Sequence, residues 1–141
     1  RCHQLATYIV FDSPLVMLCD APTAYRKEPE CTRFIAGLPV VADETRILQG
    51  KMGEYIVTAR RVGEDWIVGG LTDWEARTVD LDLSFLPEGM FRAEIFCDGI
   101  NADKKGEDYR HEYRDVKRED RLKMQLAPGG GFAIRLKKNH N

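Results

Sequence analysis

The chain has 141 residues, the length of about one domain and enough to enclose a core. Its 21 Lys and Arg against 23 Asp and Glu leave a formal charge of −2, which gives no electrostatic footprint for nucleic acid or an anionic membrane. With 43% hydrophobic and 31% charged residues the composition is globular, and no apolar run approaches the ~20 residues that span a bilayer.

The chain opens Arg1-Cys2-His3-Gln4, without an initiating Met or the basic and apolar regions of a secretory signal, and this start reads as an internal cut. Leu5, Ala6, Ile9 and Val10 form one face of a short helix that Pro14 stops. Leu15-Val16-Met17-Leu18-Cys19 is a continuous apolar run, as in a strand buried on both faces of a parallel sheet, and it ends at Asp20-Ala21-Pro22. A second helix is predicted from Pro29, carrying Cys31, Phe34, Ile35 and Leu38 until Gly37-Leu38-Pro39 breaks it. Helix, strand and helix make an α/β fragment, and such a strand needs neighbours that these residues do not supply.

From about residue 45 the period becomes two. Residues 78–83, 91–95 and 121–126 alternate strictly, which predicts strands half-buried in antiparallel sheets. Residues 55–59, 66–68 and 132–136 add more strands, and 45–48 and 111–117 are weaker candidates. Turn residues separate them: Gly63-Glu64, Thr72-Asp73, Pro87-Glu88-Gly89, Asp98-Gly99 and Pro128-Gly129-Gly130-Gly131. The last of these has no helix or P-loop Lys after it and is predicted to be a tight hairpin between two strands. Seven or eight short strands at this spacing predict a β-sandwich. Residues 101–120 carry charges of mixed sign and read as a solvated loop and an edge strand. The tail, residues 137–141, reads as a frayed C-terminus.

Candidate chemistry is sparse. Cys2, Cys19, Cys31 and Cys97 show no metal-type spacing and read as buried thiols, with Cys19 and Cys31 the pair to test for a disulfide. His3, His111 and His140 stand at no metal-binding spacing from another ligand type. Asp43-Glu44 directly precedes a strand, where adjacent residues point to opposite faces, so it reads as a turn or cap. Asp20 falls just past the buried strand, where β/α-barrel enzymes place functional residues, and is the candidate site residue of the α/β segment; its structural alternative is an Asx turn. Trp66 shares the alternation of Val68 and reads as core, whereas Trp74 and Tyr109 are candidate surface aromatics for stacking on sugar.

The particular words of the sequence carry a resemblance. His3-Gln4-Leu5-Ala6, Ser13-Pro14-Leu15, Met17-Leu18, Asp20-Ala21-Pro22, Tyr25, Phe34, Pro39, Asp43-Glu44-Thr45, Gly53-Glu54-Tyr55, Ala59-Arg60, Trp66 and Ala127-Pro128-Gly129-Gly130-Gly131-Phe132 follow one another as in the C-terminal part of glycoside hydrolase family 97. The chain resembles that family over essentially its whole length. The resemblance implies a parent enzyme with an N-terminal β-sandwich, a (β/α)8 barrel and a C-terminal sandwich. It implies action on α-glucosides or α-galactosides, calcium in the parent's active site, and a periplasmic or secreted location for the parent. Residues 1–42 would then be the terminal piece of the barrel and residues 43–141 the C-terminal β-sandwich domain. The family's catalytic glutamates and calcium ligands lie upstream, so this chain is expected to hold no catalytic residue, metal or cofactor. The family usually has Trp before Asp-Glu-Thr, where this chain has Ala42.

Two functions follow as expectations: a non-catalytic domain that supports the barrel and forms homo-oligomers, or a carbohydrate-binding module presenting Trp74 or Tyr109 to α-linked sugars. The expected partners are the missing barrel and N-terminal domain, with neither nucleic acid nor membrane. A third reading is an independent small protein whose N-terminal helices pack on its own sandwich.

Overall fold

The computed structural model describes residues 2–10, 29–37, 42–51, 53–98 and 109–139. Among them are two helices, α1 (Cys2–Val10) and α2 (Pro29–Ala36). Eight strands follow: β1 (Glu44–Lys51), β2 (Tyr55–Val62), β3 (Asp65–Thr72), β4 (Arg77–Asp82), β5 (Phe91–Asp98), β6 (Tyr109–Val116), β7 (Arg121–Leu126) and β8 (Gly131–Lys138). The strand expected at residues 15–19, with Cys19 and Asp20, lies outside the described residues.

The strands form a six-stranded sheet, ordered β1-β2-β3-β8-β5-β6, and a two-stranded sheet of β4 and β7. All pairings are antiparallel. The arrangement is sandwich-like and mainly β, as the period-two patterns predict.

Alternation explains how the small sheet sits. In β4 and β7 every second residue is buried, so Val79, Leu81, Leu122, Met124 and Leu126 point one way and Thr78, Asp80, Lys123 and Gln125 the other. The apolar set meets Val57, Ala59, Trp66, Val68, Phe91, Ala93, Ile95, Phe132, Ile134 and Leu136 from the large sheet, and together they form the main core. Each fully buried large side chain there contributes about 1.5–3 kcal/mol relative to exposure. Trp66 is core, as expected, with its ring edge-on to Phe85 at 5.0 Å.

Strands β3, β5 and β8 break the alternation because both of their faces are covered. On the second face, Ile67, Phe96 and Ala133 pack against Cys2, Leu5 and Ile9 of α1 and Phe34 of α2. Gly69 makes this approach possible. A Cβ there would stand 2.8 Å from Cβ of Ile9 and 3.1 Å from the Ala6 carbonyl oxygen. Gly70, on the core face, leaves room for the ring of its cross-strand partner Phe132.

The Pro128–Gly131 turn corrects one expectation. It is tight, with the Gly130 amide donating to the Ala127 carbonyl at 2.8 Å, but it is no hairpin: β7 pairs with β4, whereas β8 pairs with β3 and β5. The segment carries the chain from one sheet to the other. Two-period patterns on either side of a glycine turn look the same in both cases, because alternation does not say which sheet a strand joins.

Candidate interaction surface

Trp74 sits on the loop between β3 and β4, and three loops meet at that end of the sandwich. The Asp73 amide donates to the Glu54 carbonyl at 2.8 Å, and the Gly129 amide donates to the Asp73 carbonyl at 2.6 Å. Asp73 also accepts from the Glu75 amide at 3.0 Å, an Asx turn that fixes the backbone on both sides of Trp74. Thr72 Oγ1 donates to the Glu75 carbonyl at 3.1 Å and accepts from Arg77 Nε at 3.1 Å. Arg77 in turn reaches the carboxylates of Glu54, Asp73 and Glu75 and lies over the Tyr55 ring at 5.2 Å.

Beneath them, Asp98 holds the β7–β8 turn. Its Oδ2 accepts from the amides of Ala127 at 3.0 Å and Gly131 at 3.1 Å, in the space that a side chain at Gly130 would occupy. Gly129 takes φ +67°, which favours glycine. A Cβ at Gly129 would lie 3.6 Å from the Trp74 ring, so the indole rests over a residue without a side chain. The result is a large aromatic side chain, 87% exposed, on a loop held by its neighbours.

Tyr109 is placed differently. It is half-buried beside the helices, with its ring 6.0 Å from Phe96 and its hydroxyl 3.5 Å from Glu30 of α2. It belongs to a polar cluster whose centre is His111, a residue that spacing rules passed over. Nδ1 of His111 lies 3.0 Å from Glu30 Oε2 and Nε2 lies 3.1 Å from Glu94 Oε1. Its ring stacks on Phe96 at 4.2 Å, and the Tyr113 hydroxyl donates to Glu94 at 3.4 Å. Through these contacts with carboxylates and aromatic rings His111 joins α2 to β5 and β6.

Two arginines of the same sheet face tie down the other ends of the helices. Arg60 Nη2 donates to the carbonyl of Val10, the last residue of α1, at 3.4 Å. Arg135 Nη2 donates to the Phe34 carbonyl near the end of α2 at 2.8 Å, with its guanidinium 4.9 Å over the Phe34 ring. A cation at a helix C-terminus meets both the unsatisfied carbonyls and the negative end of the dipole.

Asp43 and Glu44 are structural, as read from their place before a strand. Asp43 accepts from the Gly63 amide at 2.8 Å. Hydrogen bonds from Arg46 and then Arg61 hold the Glu44 carboxyl below the usual carboxylate range. Burial pushes the Cys97 thiol up, which disfavours the thiolate. Cys2 and Cys97 are both buried. Among the described residues no group of three or more His, Cys, Asp or Glu could hold a metal ion.

Residues 41–137 match the family described as glycosyl-hydrolase 97 C-terminal, oligomerisation. The chain belongs to that family. It is 56% identical over 137 residues to a retaining α-galactosidase of Bacteroides thetaiotaomicron, covering 97% of this chain and 21% of that protein. It is 30% identical over 130 residues to a probable retaining α-galactosidase of Streptomyces bingchenggensis, covering 92% of this chain and 19% of that protein. A solved family 97 enzyme from Pseudoalteromonas sp. strain K8, in complex with acarbose, superposes with a TM-score of 0.94 at 38% identity, over 98% of this chain and 22% of that one. The chain therefore spans about a fifth of the length of these relatives. The resemblance read from the sequence words is to the family that the whole domain matches.

Proposed function

We propose that this family 97 chain is the non-catalytic assembly domain of a larger α-glycosidase, supporting the catalytic barrel and joining copies of the enzyme. The observation that carries this reading is the match itself: the family description is of a C-terminal oligomerisation region, and the chain spans about a fifth of its retaining α-galactosidase relatives. On this reading residues 1–42 are the last helix, strand and helix of the barrel, and residues 43–141 are the sandwich. The outer face of the six-stranded sheet is then the joint, with α1 and α2 as the first pieces of the barrel to rest on it. The catalytic carboxylates and the calcium belong to the upstream part.

An activity assay tests the reading. The 141-residue chain alone leaves p-nitrophenyl α-galactoside and α-glucoside unhydrolysed; turnover above the buffer rate overturns it.

A second reading rests on the exposure of Trp74, which could stack on a sugar ring. Titration with maltooligosaccharides then changes indole fluorescence in the chain and not in Trp74→Ala. A flat titration removes this reading.

A further inference from the structure

His111 has a carboxylate on each side of its ring, and the two come from different elements. Nδ1 lies 3.0 Å from Oε2 of Glu30 on α2, and Nε2 lies 3.1 Å from Oε1 of Glu94 on β5, with the His111 side chain only 10% exposed. The ring lies flat on Phe96 at 4.2 Å and is flanked by Tyr113 at 5.1 Å, which holds its plane between the two carboxylates. A carboxylate only accepts. A neutral imidazole has one N–H and one lone pair, so in that form one nitrogen donates while the other turns its lone pair toward a carboxylate oxygen at hydrogen-bond distance. Imidazolium carries an N–H on both nitrogens and satisfies both. The groups around the ring leave the proton as the fitting partner. The Tyr109 hydroxyl donates to Glu30 at 3.5 Å and the Tyr113 hydroxyl to Glu94 at 3.4 Å, so each directs its hydrogen at a carboxylate. Among the described residues the other charged or titratable groups on this side are held elsewhere or exposed. Arg92 of β5 lies over the Tyr113 ring and faces Asp115, and Arg135 of β8 donates to the Phe34 carbonyl. Arg33 of α2 is exposed, Cys2 of α1 sits in the apolar cluster, and Asp98 at the end of β5 holds the β7–β8 turn.

We infer that His111 is a proton-operated clasp: protonated, it fastens α2 to β5 and β6 through both ring nitrogens, and on losing the proton it holds one carboxylate and repels the other. The protonated state is the docked one. The hold on α2 is therefore full where imidazole is charged and is lost as pH rises through about 5 to 8, the range in which imidazole gives up its proton. The clasp is a property of the 141 residues and holds whatever lies upstream of them. Where α2 is a piece of the barrel, as proposed above, the proton sets how firmly that piece sits on the sandwich.

Hydrogen exchange of the 141-residue chain across this pH range tests the clasp, with the intrinsic pH dependence of exchange divided out. The Gly37 amide, which donates to the Arg33 carbonyl at 3.1 Å, reports on the end of α2. Its protection, with that of the other α2 amides, should fall roughly tenfold between mild acid and mild alkali, while the amides of β3 and β8 keep theirs. Two variants identify the titrating group. In His111→Phe the protection of α2 should be low and independent of pH. Glu94→Gln puts an amide beside Nε2, and its NH2 group donates to the bare nitrogen of neutral imidazole while Nδ1–H still donates to Glu30. In that variant α2 should stay protected into mild alkali, a gain that general damage to the fold does not produce. Protection of α2 that is flat with pH in the parent overturns the clasp, as does a fall that persists in His111→Phe or is unchanged in Glu94→Gln. None of these outcomes bears on the assembly reading, which the activity assay tests separately.

Discussion

The two faces of the six-stranded sheet are covered in different ways. The inner face is closed by β4 and β7, with apolar side chains of both sheets interlocked and the polar ones turned to solvent. The outer face is covered by two short helices over a smaller apolar cluster, with arginines and a histidine at the helix ends. The outer face adds polar contacts at the helix ends to its apolar cluster, which suits the joint proposed above, where a neighbour is seated by geometry as much as by apolar area. Buried polar contacts of this kind contribute little net free energy, and losing one partner is what costs.

Substitutions on the two faces separate them. Phe132→Ala opens the inner core and uncovers Gly70, and urea denaturation should show the whole sandwich destabilised by about 3–5 kcal/mol. Gly69→Val drives a side chain into Ile9 and the Ala6 carbonyl, and lifting α1 should cost about 1–3 kcal/mol, seen as lost protection of the helix amides with the strand amides unchanged. His111→Phe keeps a ring on Phe96 and removes both carboxylate contacts; the docking of α2 should weaken by about 1 kcal/mol, measured by hydrogen exchange of its amides.

Glu44→Gln belongs to neither face and should have the smallest effect. Because the arginines lower its pKa, Glu44 stabilises the fold above the ordinary carboxylate range and loses that contribution as pH falls through the lowered value. The pair is exposed and screened, so the variant should differ from the parent only slightly at neutral pH and not at all in strong acid, as thermal melts across pH will show.

The inner face was legible in the sequence because β4 and β7 alternate without a break, and the predicted strand at 121–126 is the observed β7. Strands β3 and β8 extend beyond the predicted 66–68 and 132–136. Burial on both faces and the glycines at 69, 70 and 131 erase the period there. Strand β6 was a weaker candidate because an edge strand carries charges on both sides. The exposure of Trp74 was readable from its turn-like neighbours. The clasp at His111 was not: Glu30 and His111 are far apart in the chain, and only the pairing of β5 with β6 and the docking of α2 bring Glu30 and Glu94 to the two ring nitrogens. The face shared by Tyr109, His111 and Tyr113 was implicit in the alternation of β6, but no spacing rule connects it to a helix.

Native-state hydrogen exchange on the 141-residue chain tests the contrast between the faces most directly. Amides of β3, β5 and β8 should open only with global unfolding, while those of α1 and α2 exchange through a local opening of lower free energy. Helix amides as protected as the central strands would contradict the account, because the outer layer would then be part of one closed fold and not a joint.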